Sequence, residues 1–214
     1  MRPGPIIALC GLAVAGAALN GCATLSEEQC VVGDWYGIGQ GDGAQGRSHA
    51  RLEEHIEACQ RHGVTPDHLL YEQGRQQGLL SYCTPQSGFR VGRHGSGYDG
   101  VCPADLESDF LAGYSDGRLV HAVQTTYNEA LNEEHRYLQR ARDIEGQIRN
   151  EEAALGGPDL TDEQRRTIRG RIRQLRDDRE RALDYARDAQ WRMRDVEREL
   201  YALRARFAAY YGSW

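Results

Sequence analysis

The feature that most constrains this 214-residue chain is a pair of long helical patterns with a single interruption. From Leu106, apolar or small residues recur at steps of three and four. They are Phe110, Gly113, Gly117, Val120, Val123, Tyr127, Ala130 or Leu131, Tyr137 or Leu138, Ala141, Ile144 and Ile148. The pattern breaks at Gly156-Gly157-Pro158. Thr161 and Gln164 then form a capping box, with Asp162 and Glu163 at the positive end of the helix dipole. The second run is Ile168, Ile172, Leu175, Ala182 or Leu183, Ala186, Ala189 or Gln190, Met193, Val196, Leu200, Leu203 and Phe207. Such spacing over several heptads predicts paired helices, and a short break makes them antiparallel. Each arm would be on the order of 70 Å long at 1.5 Å per residue. The expected fold class is therefore all-α, with a coiled-coil-like hairpin over 103–209 that turns near 156–161.

Charge supports this pairing. Residues 119–155 hold 4 Arg against 7 acids, and residues 162–207 hold 14 Arg against 10. The arms attract weakly, so apolar packing must dominate. Many seam positions are Ala, Tyr or Gln, so the hairpin is expected to want a third helix from elsewhere in the chain or from another subunit. All 26 basic residues are Arg, and the net charge is −6. Acids intersperse the Arg-rich arm, so no nucleic-acid partner is expected.

Sixteen of the 25 glycines fall between Gly33 and Gly117. This region, with its body at 33–102, reads as a small glycine- and aromatic-rich helical head. One helix is expected from Ser48 to Arg61, with Leu52, Ile56 and Cys59 on its apolar side and Gly63 ending it. A second is expected to start at a Thr65 cap with Pro66 in its first turn and to end near Tyr82. Thr84 to Val101 reads as a glycine-rich loop or irregular hairpin. An aromatic residue followed by Gly three and seven positions later recurs as Tyr36/Gly39/Gly43, Tyr71/Gly74/Gly78 and Phe110/Gly113/Gly117. Phe89/Gly92 is a fragment of it. On a helix these positions share a face. Their cost, about 1 kcal/mol per glycine, makes sense if another backbone or an aromatic ring approaches closely. Gly37 and Gly41 make the first copy look less helical than the others.

The chain opens with Arg2, an apolar stretch from Pro5 to Leu19, and then Leu19-Asn20-Gly21-Cys22. This resembles the bacterial lipoprotein processing motif. The resemblance implies a signal peptide over 1–21, acylation of Cys22 and a lipidated tether over 22–32. Ala23 rather than Asp after the Cys implies the outer membrane, facing the periplasm. Cys30, Cys59, Cys83 and Cys102 then remain in an oxidising compartment, where two disulfides are expected. Cys59 and Cys83 would lie a helix length apart if their two helices run antiparallel, which disfavours that pair. The preferred pairing is Cys30–Cys59 with Cys83–Cys102. The spacings contain no short clamp for zinc, so no metal and no cofactor is expected.

Candidate chemistry is sparse. His55, Cys59 and His62 share a helical face, but a disulfide would consume Cys59, and the histidines read as surface residues. Gly37 to Gly46 looks like an anion cradle without the Lys that a phosphate loop needs. Asp34, Asp42, Asp99 and Asp116 suit caps and turns. Trp35, Tyr36 and Tyr98 are the candidate binding aromatics. The aromatic tail, 210–214, is expected either to fold back on the head or to dock a partner.

The head resembles an uncharacterised proteobacterial lipoprotein family catalogued as domain of unknown function 2799, over about residues 29–120. Asp34-Trp35-Tyr36, Gly39, Asp42-Gly43, Tyr71-Glu72-Gln73-Gly74-Arg75, Gly78, Tyr82-Cys83-Thr84-Pro85, Val101-Cys102-Pro103, Phe110, Gly113, Tyr114 and Gly117 carry the resemblance. It implies no catalytic role. The expected function is an envelope lipoprotein with a scaffold or adaptor role. Its partners would be the bilayer, through Cys22, and an envelope protein or a second copy, through the hairpin. The alternative is a glycan, peptide or small-ligand module using the head aromatics. A hydrolytic enzyme ranks third and would need His55, Asp42 and His62 in one cleft.

Overall fold

The computed structural model describes residues 24–214, which form seven helices and no strand. They are α1 (Glu27–Val32), α2 (Trp35–Ala44), α3 (Ala50–Gln60), α4 (His68–Tyr82), α5 (Pro85–Arg93), α6 (Ala104–Leu155) and α7 (Asp162–Tyr211). The fold is all-α, and its long pair is an antiparallel hairpin joined at 156–161.

Two helix pairs, built on one principle, make the head. α2 packs on α4, and α5 packs on the first part of α6. In each pair, glycines four apart on one helix meet glycines four apart on the other. A Cβ placed on Gly39 would lie 2.0 Å from the Tyr71 carbonyl oxygen, and one on Gly43 would lie 2.1 Å from that of Arg75. Gly74 and Gly78 face the carbonyls of Tyr36 and Gln40 in the same way. In the second pair, Gly88 and Gly92 sit under the carbonyls of Phe110 and Tyr114, while Gly113 and Gly117 sit under those of Pro85 and Phe89. No side chain fits between backbones this close, so the residues must be glycine. Contacting residue numbers rise together along both helices, so both pairs are parallel. A parallel pair needs a crossover. α3 supplies the first, and the 94–103 loop supplies the second.

Three elements differ from the sequence reading. The stretch read as a loop contains α5. Thr84 caps it, accepting a hydrogen bond from the Ser87 N–H (3.2 Å), and Pro85 opens it. Its glycine register is Gly88/Gly92, with Pro85 where the other copies carry an aromatic. Phe89 points elsewhere, into the cluster with Val120, Leu203 and Phe207. Second, α2 is a full helix despite Gly37 and Gly41, because close packing on α4 outweighs propensity. Third, α4 is capped by Asp67, whose carboxylate accepts from the N–H groups of Leu69 and Leu70, both at 3.0 Å. Thr65 and Pro66 lie just before the helix.

Both disulfides among the described residues follow the preferred pairing. Cys30 joins Cys59 and Cys83 joins Cys102, with Cα separations of 5.4 and 5.6 Å. The first fastens α1 to α3, and the second ties the end of α4 to the chain just before the start of α6, enclosing α5 and the loop after it.

α6 has 52 residues and α7 has 50, so each is roughly 75 Å long. The Thr161/Gln164 capping box is formed, with bonds of 2.8 and 3.2 Å. Arg165 closes the other side of the turn by donating to the Leu155 and Gly157 carbonyls. Near the tip the seam is Ile144, Ile148, Ile168 and Ile172. Its middle is small, with Ala130, Ala141, Ala182, Ala186 and Ala189 all buried. Near the head it is Val120, Val123, Leu200, Leu203 and Phe207. Ion pairs between the arms run from Arg on α7 to Glu on α6: Arg171–Glu151, Arg176–Glu152, Arg179–Glu145 and Arg192–Glu133. This matches the charge bias of the two runs. α5 is the third helix the seam wanted, and it flanks the base of the hairpin.

The aromatic tail folds back on the head. The Tyr211 ring stacks on Phe89 at 4.2 Å, and its hydroxyl donates to Asp116 (2.8 Å). Trp214 lies 5.4 Å from Phe89, with the guanidiniums of Arg93 and Arg204 over its ring. Among the described residues, no helix is long and apolar enough to cross a membrane.

Candidate functional site

The head is wired together where its first residues meet α2, α3 and α4. Helix α1 starts at a capping box in which Ser26 and Gln29 exchange hydrogen bonds. Just before it, Leu25 is buried against Trp35, Leu52 and Tyr71. The Thr24 hydroxyl lies 2.7 Å from His55 Nδ1. His55 Nε2 lies 2.8 Å from Asp42 Oδ2, and the Tyr71 hydroxyl donates to the same oxygen at 2.9 Å. A carboxylate can only accept, so His55 carries its proton on Nε2 toward Asp42. One carboxylate on α2 thus joins α3, α4 and, through the imidazole, Thr24.

Electrostatics hold this arrangement. Burial alone would raise the pKa of Asp42. The hydrogen bonds from His55 and Tyr71, with the charge of Arg51 nearby, more than offset it, and the carboxyl sits below its usual range. Tyr71 goes the other way. Burial and its bond to the Asp42 carboxylate push the phenol far above its usual value. His55 is 1 % exposed and Asp42 7 %. No substrate atom can reach the imidazole in this state, so the cluster couples segments of chain. Beside it, Arg75 is also buried. It makes a two-pronged bond to Glu72 at 3.0 and 3.2 Å and donates to the Arg47 carbonyl.

The residues singled out by sequence land as follows. Cys22 lies outside the described residues. Of residues 24–32, read as part of a tether, Thr24 meets His55 and Leu25 and Cys30 are buried in the head, while Val31 and Val32 are exposed. Gly39, Gly43, Gly74, Gly78, Gly113 and Gly117 are all at helix crossings, as the recurring pattern implied. Trp35 is buried in the core and cannot serve as an exposed anchor, because its ring fills the space between α1, α2 and α3. Tyr36 is 40 % exposed. The Tyr98 hydroxyl is engaged within the head, donating to Glu107 and accepting from the Cys102 N–H, both at 3.0 Å. Of the set that hydrolysis would need, His55 and Asp42 meet, whereas His62 faces Glu27 at the surface. His55 is not the surface residue that the sequence suggested. Its spacing from Leu52 and Cys59, three and four, places it on the buried face of α3. Among the described residues, no group of His, Cys, Asp and Glu is arranged to hold a metal ion.

Sequence reasoning missed Tyr71 as a partner of Asp42, the Gly88/Gly92 pair, and the docking of Thr24 and Leu25. The hairpin offers a different kind of site. Trp191 and Tyr201 on α7 are 61 % and 75 % exposed, and Tyr185 stacks on Tyr137 across the arms at 5.1 Å. Exposed aromatics on a narrow two-helix arm are suited to protein contacts.

A sequence family described as "Protein of unknown function (DUF2799)" matches residues 34–119. The chain is similar to that family from α2 to the first third of α6, which spans both glycine-packed pairs. No curated protein and no solved structure gives a significant match.

Proposed function

We propose that this chain is an envelope lipoprotein with a scaffold or adaptor role, anchored by an acylated Cys22 and using its helical hairpin to engage an envelope protein or a second copy of itself. The observation that carries this reading is the hairpin. Among the described residues, beyond Tyr127 and Val196 the two arms pack on each other as far as the turn, a projection on the order of 40 Å. A two-helix arm buries only one stripe of each helix and leaves the rest for contact. Its mid-seam is alanine, and aromatic residues stand on its outside. Nothing in the arm suits turnover, and much suits holding.

The anchor fits the head. Only Ala23 separates Cys22 from Thr24, which is hydrogen-bonded to His55. Two residues of extended chain reach about 7 Å. An acylated Cys22 would therefore hold the head against the bilayer. The two disulfides suit an oxidising compartment.

Two measurements test this. Metabolic palmitate labelling should mark the protein, and Cys22→Ser should abolish both the label and membrane fractionation. Crosslinking in mild detergent should trap a specific partner or a homo-oligomer through the arms, lost with Trp191→Ala. A monodisperse monomer without crosslinks defeats the scaffold role, and unlabelled protein defeats the anchor.

A further inference from the structure

The joint between the two glycine-packed pairs forms an open cleft with a cavity volume of about 600 Å³. That is within the usual range for small-molecule sites. It is distant in kind from the aromatics that the sequence put forward, since neither Trp35, Tyr36 nor Tyr98 lines it. Its lining is polar and arginine-rich, with Arg47, Arg51 and Arg90 all facing it, together with Ser48, Ser96 and Asp99. Tyr82 and Val91 supply apolar surface.

The state of these arginines gives the cavity its sign. Arg51 Nη1 is held by Glu54, which also lines the cavity. Arg51 Nε is buried and has no hydrogen-bond partner among the described residues; an Asp42 carboxylate oxygen is 4.0 Å away. A buried donor with nothing to donate to is costly, and it leaves the Arg51 guanidinium only partly neutralised by Glu54 and Asp42. Among the described residues, Arg90 donates only to the neutral Ser87 hydroxyl. Arg47 contributes its carbonyl to Arg75, and its own guanidinium has no carboxylate partner among the described residues. Three guanidiniums thus converge on one cavity. One of the two acids there is already engaged by Arg51, which leaves Asp99 as the free one.

We propose that this cavity binds a small organic anion. A carboxylate or phosphate group sits on Arg47, Arg51 and Arg90, and hydroxyl or amino groups of the same ligand are received by Asp99, Ser48 and Ser96. Guanidinium forks match the planar oxygens of a carboxylate and the tetrahedral oxygens of a phosphate alike. The volume limits the ligand to roughly a monosaccharide or disaccharide, or a short peptide. The site lies where the two helix pairs meet, so an occupant would brace one pair against the other. This goes beyond the scaffold reading and does not rest on it.

The test is a titration of the purified full-length protein, followed by backbone amide NMR, with inorganic phosphate, D-glucuronate and D-glutamate in turn. Each is taken to about 10 mM at low chloride, which reaches millimolar dissociation constants. At least one probe should shift the amides of Gly46, Ser96 and Gly97 to saturation. Arg47→Ala and Arg90→Ala are changes at exposed positions and should leave the fold intact, and each should weaken that binding about tenfold. Arg171→Ala on the hairpin should not change it. Binding by phosphate alone marks a phosphate ligand, by glucuronate a sugar acid, and by glutamate an amino acid or peptide. The proposal is overturned if none of the three probes shifts these amides. It is equally overturned if the shifts are as large in the protein carrying both Arg47→Ala and Arg90→Ala.

Discussion

Replacing Gly39 by Ala should destabilise the head, while the same change two residues along, at Gly41, should stabilise it. Both lie in α2, and both would gain the same increment of helix propensity, about 1 kcal/mol. They differ in what the new methyl meets. At Gly39 it would lie 2.0 Å from the Tyr71 carbonyl oxygen, about 1.4 Å inside ordinary contact; at Gly41 nothing lies within 4 Å. The obstacle at Gly39 is backbone, so no rotamer change relieves it and α2 must move off α4. Overpacking of this kind costs about 1–3 kcal/mol or more. Separation also loosens the neighbouring crossings at Gly43, Gly74 and Gly78 and draws Tyr71 away from Asp42. After subtracting the propensity gain, Gly39→Ala should be less stable by up to about 2 kcal/mol. Gly41→Ala should be more stable by up to about 1 kcal/mol. At roughly 2–4 °C per kcal/mol for a chain of this size, the two midpoints should diverge by several degrees in opposite directions. Thermal unfolding followed by helical circular dichroism, with the disulfides intact, reads this directly. A Gly39→Ala midpoint equal to or above that of the unaltered protein would refute the close-packing argument.

The Asp42 carboxyl is depressed below its ordinary value of 3.8, so the unfolded chain takes up that proton first on acidification. Its contribution is fully present above pH 4 and is lost as pH falls through the depressed value; acid unfolding curves should show this, and Asp42→Asn should flatten that part of the profile. Tyr211 is pushed up to about 12 by burial and its bond to Asp116. Spectrophotometric titration should therefore find a late-ionising tyrosine that Tyr211→Phe removes, with a loss of about 0.5–1.5 kcal/mol in stability. A titration unchanged by Tyr211→Phe would show that the tail does not dock. Reducing the disulfides, which span 29 and 19 residues, should cost about 3 kcal/mol each in the chain-entropy picture. Denaturant midpoints with and without reductant check this.

How much of this was legible in the sequence depended on how local the governing physics is. Periodicity and caps are local. The two long runs, the Thr161/Gln164 box and the turn at 156–161 could all be read, but the cysteine pairing only in part, because helix length disfavours one of the three connectivities and leaves two. The glycine faces could be read as a pattern but not as pairs, since which helix meets which is a tertiary fact. α5 was hidden because Gly88 and Gly92, followed by Gly95, Gly97 and Gly100, resemble a loop. Its signals were Thr84-Pro85 and a four-residue glycine step equal to that of Gly39 and Gly43. His55 was misjudged from the charge of its helix. The better guide was its position between Leu52 and Cys59. The Asp42 cluster draws on α2, α3, α4 and the residue before Leu25, and no spacing along the chain announces such a meeting.

Helix α6 begins inside the head, clasped to α5 at Gly113 and Gly117, and continues unbroken to Leu155 at the far end of the arm. It is a lever with its fulcrum at the second glycine crossing. From Gly117 to the tip is roughly 57 Å at 1.5 Å per residue, so each degree of tilt at the crossing swings the tip by about 1 Å. Whatever stiffens or shifts the α5–α6 crossing is therefore transmitted, enlarged, to the end of the arm.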